Sequence, residues 1–142
     1  MSTAAFAFSH PVRVYWEDTD AGGVVFYANY LKYFERARTE WLRALGFAQH
    51  QLQREQGLLF VVTDTTIRYV EPARLDDELS IGVQLDSLSR TRFSLRQAAL
   101  RGASLLAESR ITLACVAVAS FRARRLPPPI LGALASIQQE QK

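Results

Sequence analysis

The chain has 142 residues, 49% of them hydrophobic and 22% charged, and a formal net charge of +3. These values predict one soluble globular domain, and so small a charge gives no support to nucleic-acid binding. A single cysteine excludes an internal disulfide, and no stretch reaches the ~20 apolar residues of a membrane span. The N-terminus lacks the features of a signal peptide, so we expect a cytoplasmic protein.

The first predicted element is a short strand over residues 11–16. Val12, Val14 and Trp16 alternate there with Arg13 and Tyr15, which is the period of a strand. A loop over residues 19–23 follows and contains two adjacent glycines.

A long amphipathic helix is predicted from Asn29, the expected N-cap, to a C-terminal stop at Gly46. Its apolar stripe has spacings of three and four residues, and two leucines widen it. The stripe contains Tyr30, Phe34, Ala37, Trp41 and Leu45, with Leu31 and Leu42 beside it. A stripe with large aromatic side chains predicts that the helix packs on a sheet.

A shorter helix, about residues 48–56, is closed by Gly57, and strand-like segments follow. The predicted strands cover residues 58–70, 78–89, 91–101 and 104–119. Because their connections are short, we expect consecutive strands to pair antiparallel. After the prolines at 127–129, residues 130–139 form a short helix or fray. We expect flexible ends at residues 1–9 and after about Pro129.

Carboxylates are the main candidates for catalysis. The chain lacks the Gly-x-Ser-x-Gly, Walker-type and His-Glu-x-x-His motifs, and with only His10 and His50 it is a poor candidate for a Ser-His-Asp triad. Asp18 and Asp20 precede Gly22 and Gly23 at the start of the long helix. A carboxylate there is a candidate nucleophile or general base, and amides of about residues 25–27 are candidates to hold a carbonyl oxygen.

The segment from Val12 to Tyr30, VRVYWEDTDAGGVVFYANY, resembles the signature of hotdog-fold acyl-CoA thioesterases. The similar families are the 4-hydroxybenzoyl-CoA thioesterases and the YbgC-like, Tol-Pal-associated enzymes. The likeness continues through FERARTE at 34–40, FVV at 60–62, PARLDD at 72–77 and RLP at 125–127, so it covers nearly the whole chain.

This resemblance implies an α+β hotdog fold, in which an antiparallel β-sheet wraps around one long central α-helix. It implies hydrolysis of an acyl-CoA to a free acid and coenzyme A, with no cofactor and no metal. It also implies edge-to-edge pairing of two hotdogs and a homotetramer, with the active site at the dimer interface. Acyl carrier protein is a further candidate partner.

By position, the resemblance assigns the catalytic carboxylate to Asp20, as nucleophile or general base, and the oxyanion donor to the backbone N–H of Tyr27. Asp18 is a supporting residue, and Gly22 and Gly23 open the backbone to the thioester. Many YbgC-like proteins have histidine where this chain has Tyr27, whereas the 4-hydroxybenzoyl enzymes have tyrosine.

Charged side chains elsewhere supply further candidates. Glu35 on the long helix is the alternative base, although an ion pair with a neighbouring arginine is the simpler interpretation. Arg122, Arg124 and Arg125 form the densest basic cluster and are candidate contacts for coenzyme A phosphates.

Two other functions stay open at this point. One is a non-catalytic module of the same fold that binds acyl-CoA or acyl carrier protein in a membrane-envelope complex, although the presence of Asp20 and both glycines argues against it. The Asp18-x-Asp20 pair also resembles the nucleophile motif of aspartyl-phosphate phosphatases, but no βαβ alternation accompanies it.

Overall fold

A computed structural model describes residues 6–141. Within this range there are five strands, three α-helices and two 3-10 turns, Trp16–Asp18 and Tyr27–Asn29, which both lie between the first strand and the first α-helix. In chain order the elements are β1 (Phe8–Arg13), α1 (Tyr30–Ala44), α2 (Gln49–Gln56), β2 (Leu58–Tyr69), β3 (Glu78–Leu88), β4 (Arg92–Arg101), β5 (Ser104–Ala117) and α3 (Pro128–Glu140).

Most of the predicted elements are confirmed, with their ends shifted by one or two residues. Gly46, two residues after α1, and Gly57, directly after α2, adopt positive φ angles of 97° and 63°, as the predicted helix stops require. Cys115 is fully buried in β5. The segment after Pro129 lies in α3, whereas residues 1–5 of the expected flexible N-terminus are outside the described range.

The first strand differs most from its prediction, because it covers Phe8–Arg13 instead of residues 11–16. The chain turns into a 3-10 helix at Trp16, whose side chain is 81% exposed. The reason is that the Tyr15 N–H donates to the Asp18 carboxylate at 2.9 Å, which ends the ladder. Asn29, the expected N-cap, directly precedes α1 but belongs to a 3-10 turn, and its side-chain amide donates to Asp18. Leu31, expected to widen the apolar stripe, is 41% exposed.

The strands form one sheet in the order β1-β3-β4-β5-β2. Strands β3, β4 and β5 follow one another as expected, but β2 lies next to β5 at an edge and does not pair with β3. β1 takes that position instead, with Phe8 opposite Val83 and Arg13 opposite Glu78. Pro11 is tolerated in β1 because this strand is the other edge of the sheet.

The described residues group into two compact units. The first comprises residues 6–41, 67–84 and 96–109 and contains most of α1. Tyr33, Phe34 and Ala37 of α1 are buried there, and the buried Gln97 amide of β4 donates to the Phe34 carbonyl at 2.8 Å. This hydrogen bond joins the helix to the sheet within the first unit, as the apolar stripe predicts.

The second unit comprises residues 42–66, 85–95 and 110–141. In its core, the rings of Phe60 and Phe93 meet edge to face at 5.3 Å. Its terminal helix α3 buries Ile130 and Leu134, and the Gln141 amide that follows donates to the Leu85 carbonyl at 2.8 Å.

The turn after β2, residues 72–77, is fixed in the first unit by Asp77. Its carboxylate accepts hydrogen bonds from the Arg74 N–H at 2.9 Å and from the Arg101 guanidinium at 2.8 Å. Burial alone would raise the pKa of Asp77, but these two donors hold the pKa below its ordinary value. The Val14 N–H donates to the Asp77 carbonyl at 3.0 Å, so the same turn also anchors the end of β1.

We therefore expect Asp77→Asn to lower the free energy of unfolding by about 1 kcal/mol at neutral pH. Because the folded-state pKa of Asp77 is depressed, its contribution is present above the unfolded-state pKa and is lost as pH falls below about 4. Urea unfolding of the wild type and of Asp77→Asn measures this difference between about pH 3 and 7, a range that includes the ordinary aspartate pKa of about 4. Asp76→Asn is the matched control, since Asp76 has a φ of 70° that asparagine tolerates. A difference that does not shrink in acid would contradict this role of Asp77.

Candidate functional site

A short hairpin carries both aspartates of the sequence motif. Phe26 N–H donates to the Asp18 carbonyl at 2.9 Å, and Asp20 N–H donates to the Val24 carbonyl at 2.9 Å. The turn closes where Gly23 N–H donates to the Asp20 carbonyl at 3.0 Å. Gly23 has a φ of 77°, the left-handed conformation that a three-residue hairpin loop needs at this position.

Asp18 is buried, and its carboxylate is occupied by protein donors. One oxygen accepts from the Tyr15 N–H at 2.9 Å and the other from the Asn29 side-chain amide at 3.0 Å. The side chain therefore ties the start of the hairpin to the turn that precedes α1. Burial and the nearby Asp18 carboxylate also raise the pKa of the Tyr33 hydroxyl.

Asp20 is exposed at the tip of the same hairpin. Its Oδ1 accepts a hydrogen bond from the Gly22 N–H at 2.8 Å, which orients the carboxylate without burying it. A Cβ atom at Gly22 would lie 3.2 Å from this oxygen, closer than most Cβ contacts. The two glycines thus shape the turn that presents Asp20.

The amides at the start of the helix differ in availability. Val25 N–H donates to the Ala73 carbonyl at 2.8 Å, and Phe26 N–H is used within the hairpin. These two N–H groups are therefore not available to a ligand. Of the predicted amides of residues 25–27, only that of Tyr27 is left as a candidate donor. Tyr27 and Ala28 are in the first turn, where no earlier helical carbonyl accepts their N–H groups.

Tyr69, at the end of β2, was not predicted as a site residue, and it contacts this turn. Its hydroxyl donates to the Tyr27 carbonyl at 2.7 Å, and its ring meets that of Tyr30 at 5.5 Å. Burial, and secondarily Tyr27, raise the pKa of Tyr69, so the phenol stays protonated at neutral pH. No local sequence pattern predicts this contact, because 42 residues separate Tyr69 from Tyr27.

A cavity of about 290 Å³ opens beside the helix start in the first unit. Three tyrosine rings form much of its wall, and the other lining residues come from the hairpin and from the end of β2. The lining residues are Val25, Tyr27, Tyr30, Tyr69, Val70, Glu71 and Pro72. Its walls are mainly apolar, which suits an acyl group.

The remaining predicted site residues lie outside the hairpin. Glu35 is exposed on α1, and its charge acts on Arg38 one turn later. Arg122, Arg124 and Arg125 belong to the second unit and are exposed before α3. Arg125 differs from the other two because it lines a cavity together with Arg90.

Within residues 6–141, no group of three or more histidine, cysteine, aspartate or glutamate side chains is placed to hold a metal ion. None of the helices in this range is long and apolar enough to cross a membrane.

A family model for the thioesterase-like superfamily matches residues 14–134, which include the hairpin, the long helix and every strand after it. This chain belongs to the thioesterase-like superfamily. The sequence-based resemblance and the α+β hotdog fold are thereby confirmed.

Individual sequences and structures are similar to this chain. The chain is 42% identical to the acyl-CoA thioesterase YbgC of Haemophilus influenzae, over 89% of its own length and 93% of that protein. It matches the crystal structure of a "Probable Thioesterase" from Bartonella henselae with a TM-score of 0.80 and 38% identity, over 85% of this chain and 100% of that one. A DHNA-CoA thioesterase from Staphylococcus aureus shares the fold, with a TM-score of 0.90 at 23% identity and 95% coverage of both chains.

The hydrogen bonds of this thioesterase hairpin predict different consequences for its two aspartates. Asp18→Asn replaces a buried acceptor of two donors by an amide that presents its own N–H groups, and we expect a loss of about 2–3 kcal/mol of unfolding free energy. Asp20→Asn changes an exposed side chain, and we expect less than about 0.5 kcal/mol. Denaturant unfolding of both variants measures the contrast, and equal stabilities would contradict a structural role for Asp18.

Proposed function

We propose that this protein hydrolyses acyl-CoA thioesters to a carboxylic acid and coenzyme A at the Asp20 hairpin. The observation that carries the proposal is the contrast between the two aspartates: Asp18 is fully engaged, while Asp20 is exposed and oriented by the Gly22 amide. The names of the YbgC relatives, which are acyl-CoA thioesterases, support the substrate class.

Two chemical routes are open to Asp20. As a nucleophile, its carboxylate attacks the thioester carbonyl carbon and expels the coenzyme A thiolate, leaving a mixed anhydride that water then hydrolyses. As a general base, it takes a proton from a water molecule that attacks the same carbon directly. Both routes consume one water and release one acid and one thiol, and both develop negative charge on the carbonyl oxygen.

We propose that the backbone N–H of Tyr27 stabilises this negative charge by donating a hydrogen bond to the carbonyl oxygen. Its place in the first turn of the helix leaves it without a helical acceptor and aligns it with the positive end of the helix dipole. An oxyanion donor of this kind contributes roughly 10²–10³ in turnover. Because the main-chain amide is the acting group, the presence of tyrosine in place of histidine affects the lining of the acyl cavity more than the chemistry.

Substrate binding and assembly complete the proposal. Arg122, Arg124 and Arg125 are exposed and suited to coenzyme A phosphates. Pairing of two copies is supported by β2, an edge strand with exposed apolar side chains at Val62 and Tyr69, since such an edge readily pairs with a second strand. Two such dimers form the homotetramer that we propose.

The central test is a thiol-release assay on acyl-CoAs with short aliphatic, long aliphatic and aromatic acyl groups, together with acyl-acyl carrier protein. We expect Asp20→Asn to lose at least about 10²-fold in kcat on the preferred substrate, because the amide is neither a nucleophile nor a base of comparable strength. Glu35→Gln is the matched control and retains the wild-type rate to within about threefold, a change worth less than one kcal/mol.

Sedimentation equilibrium of the wild type and both variants provides the structural control, with an expected mass of four 16.0 kDa chains. A dimer or monomer would overturn the homotetramer. A loss confined to Glu35→Gln would move the base to α1. Coenzyme A binding without thiol release from any substrate would establish the non-catalytic alternative.

Tyr69 is a positioning residue in this proposal, since its hydroxyl holds the carbonyl of the Tyr27 peptide. Tyr69→Phe keeps the ring contacts and removes only that hydrogen bond, so we expect kcat to fall about tenfold, equivalent to ~1.4 kcal/mol, with little change in KM. Steady-state kinetics separate the two constants. A rise in KM at constant kcat would instead make Tyr69 a part of the acyl-binding wall.

A further inference from the structure

The chain is irregular at the end of β2, beside the acyl cavity of about 290 Å³. In a regular strand, successive side chains point to opposite faces, so only alternate residues can line one cavity. Here Tyr69, Val70 and Glu71 are consecutive, and all three line the cavity. The N–H groups of Val70 and Glu71 both donate to the Leu106 carbonyl of β5, at 2.8 and 3.1 Å. Two residues therefore lie opposite one, which is the arrangement of a β-bulge, and a bulge re-aims the side chains that it carries.

Glu71 brings a negative charge to this cavity. Among the described residues that line it, Glu71 alone is charged, and the others are three tyrosines, two valines and a proline. Its ion-pair partner is Arg101 at 3.7 Å, but the same guanidinium is closer to Asp77, at 2.8 Å. One cation shared by two carboxylates compensates the charge of Glu71 only in part.

The tyrosines of the wall do not supply a compensating charge. Burial raises the pKa of Tyr30 and of Tyr69, so both phenols are neutral at pH 7. The Tyr69 hydroxyl donates to the Tyr27 carbonyl at 2.7 Å, and the Tyr30 hydroxyl accepts from the Ala73 N–H at 3.3 Å. An anionic group that entered the cavity would therefore meet the carboxylate of Glu71 and no cation among the described lining residues.

We propose that Glu71 determines specificity, by making the protein discriminate against acyl groups that end in a second carboxylate. The inference rests on the proposed function, because it concerns the acyl-CoA that reaches the Asp20 hairpin. The thioester of a monocarboxylic acid enters the cavity without meeting a like charge. The thioester of a dicarboxylic acid, such as succinate, brings its free carboxylate towards Glu71, and a like charge in a mainly apolar cavity is an effective means of rejecting a ligand.

The test compares thiol release from succinyl-CoA and from 4-methylpentanoyl-CoA, in which a neutral isopropyl group takes the place of the carboxylate. The ratio of their kcat/KM values cancels any effect of Glu71 on coenzyme A, since both esters contain it. We expect the ratio of succinyl to 4-methylpentanoyl to rise about tenfold in Glu71→Gln and further in Glu71→Lys, because the charge there becomes neutral and then positive. Glu78→Gln is the matched control and leaves the ratio unchanged, since Glu78 is exposed, pairs with Arg13 and does not line the cavity.

Ionic strength supplies a second readout, which a purely steric role of Glu71 would not move. Raising it from about 0.01 M to about 1 M shortens the Debye length from ~30 Å to ~3 Å. We therefore expect the ratio of the wild type to rise towards that of Glu71→Gln, whose own ratio changes less.

The outcomes distinguish this inference from the proposed function. Absence of thiol release from every acyl-CoA would overturn the proposed function, and the inference with it. Thiol release with the same ratio in the wild type, Glu71→Gln and Glu71→Lys would overturn the role of Glu71 alone. A loss of folded protein lowers both kcat/KM values together, so the ratio does not depend on the stability of the variants.

Discussion

The buried carboxylate of Asp18 is the constraint on which the rest of the site depends. It accepts one hydrogen bond from the Tyr15 backbone before the hairpin and one from the Asn29 side chain after it. Taking a carboxylate out of water is unfavourable unless its oxygens are paired, so the two donors must stay in place. The hairpin and the first turn of the helix are therefore held in one geometry, and the tip between them is free to carry a reactive group.

That geometry gives two similar side chains different roles. Asp18 satisfies backbone and amide donors, and Asp20, two residues later, meets solvent with one oxygen held by Gly22. The Val25 N–H donates to the Ala73 carbonyl, and the Tyr69 hydroxyl donates to the Tyr27 carbonyl. Two separate segments therefore hold the start of the helix in place. In the proposed reaction, the Tyr27 amide is the donor to the thioester oxygen on which negative charge develops.

The family, the helices and the strands after Gly57 were predictable because their signals are local: hydrophobic period, glycine stops and a long motif. The prediction of an acyl-CoA thioester hydrolase is likewise confirmed at the level of the family. The end of β1 was not predictable, because it depends on a hydrogen bond that the Tyr15 N–H donates to the side chain of Asp18, three residues later. The position of β2 beside β5 and the contact of Tyr69 with Tyr27 arise from pairings distant in sequence. Arg125 also lines a cavity together with Arg90. This was not predictable, because the two arginines are distant in sequence.

The claim that Asp20 performs the chemistry, while Asp18 maintains the hairpin, is tested most directly by single-turnover kinetics. Excess Asp20→Asn enzyme is mixed with its preferred acyl-CoA, and thiol release is followed after binding is complete. The account predicts that substrate binds as in the wild type and that the subsequent step slows by at least about 10²-fold. A bound substrate that releases thiol within a few-fold of the wild-type rate would contradict it.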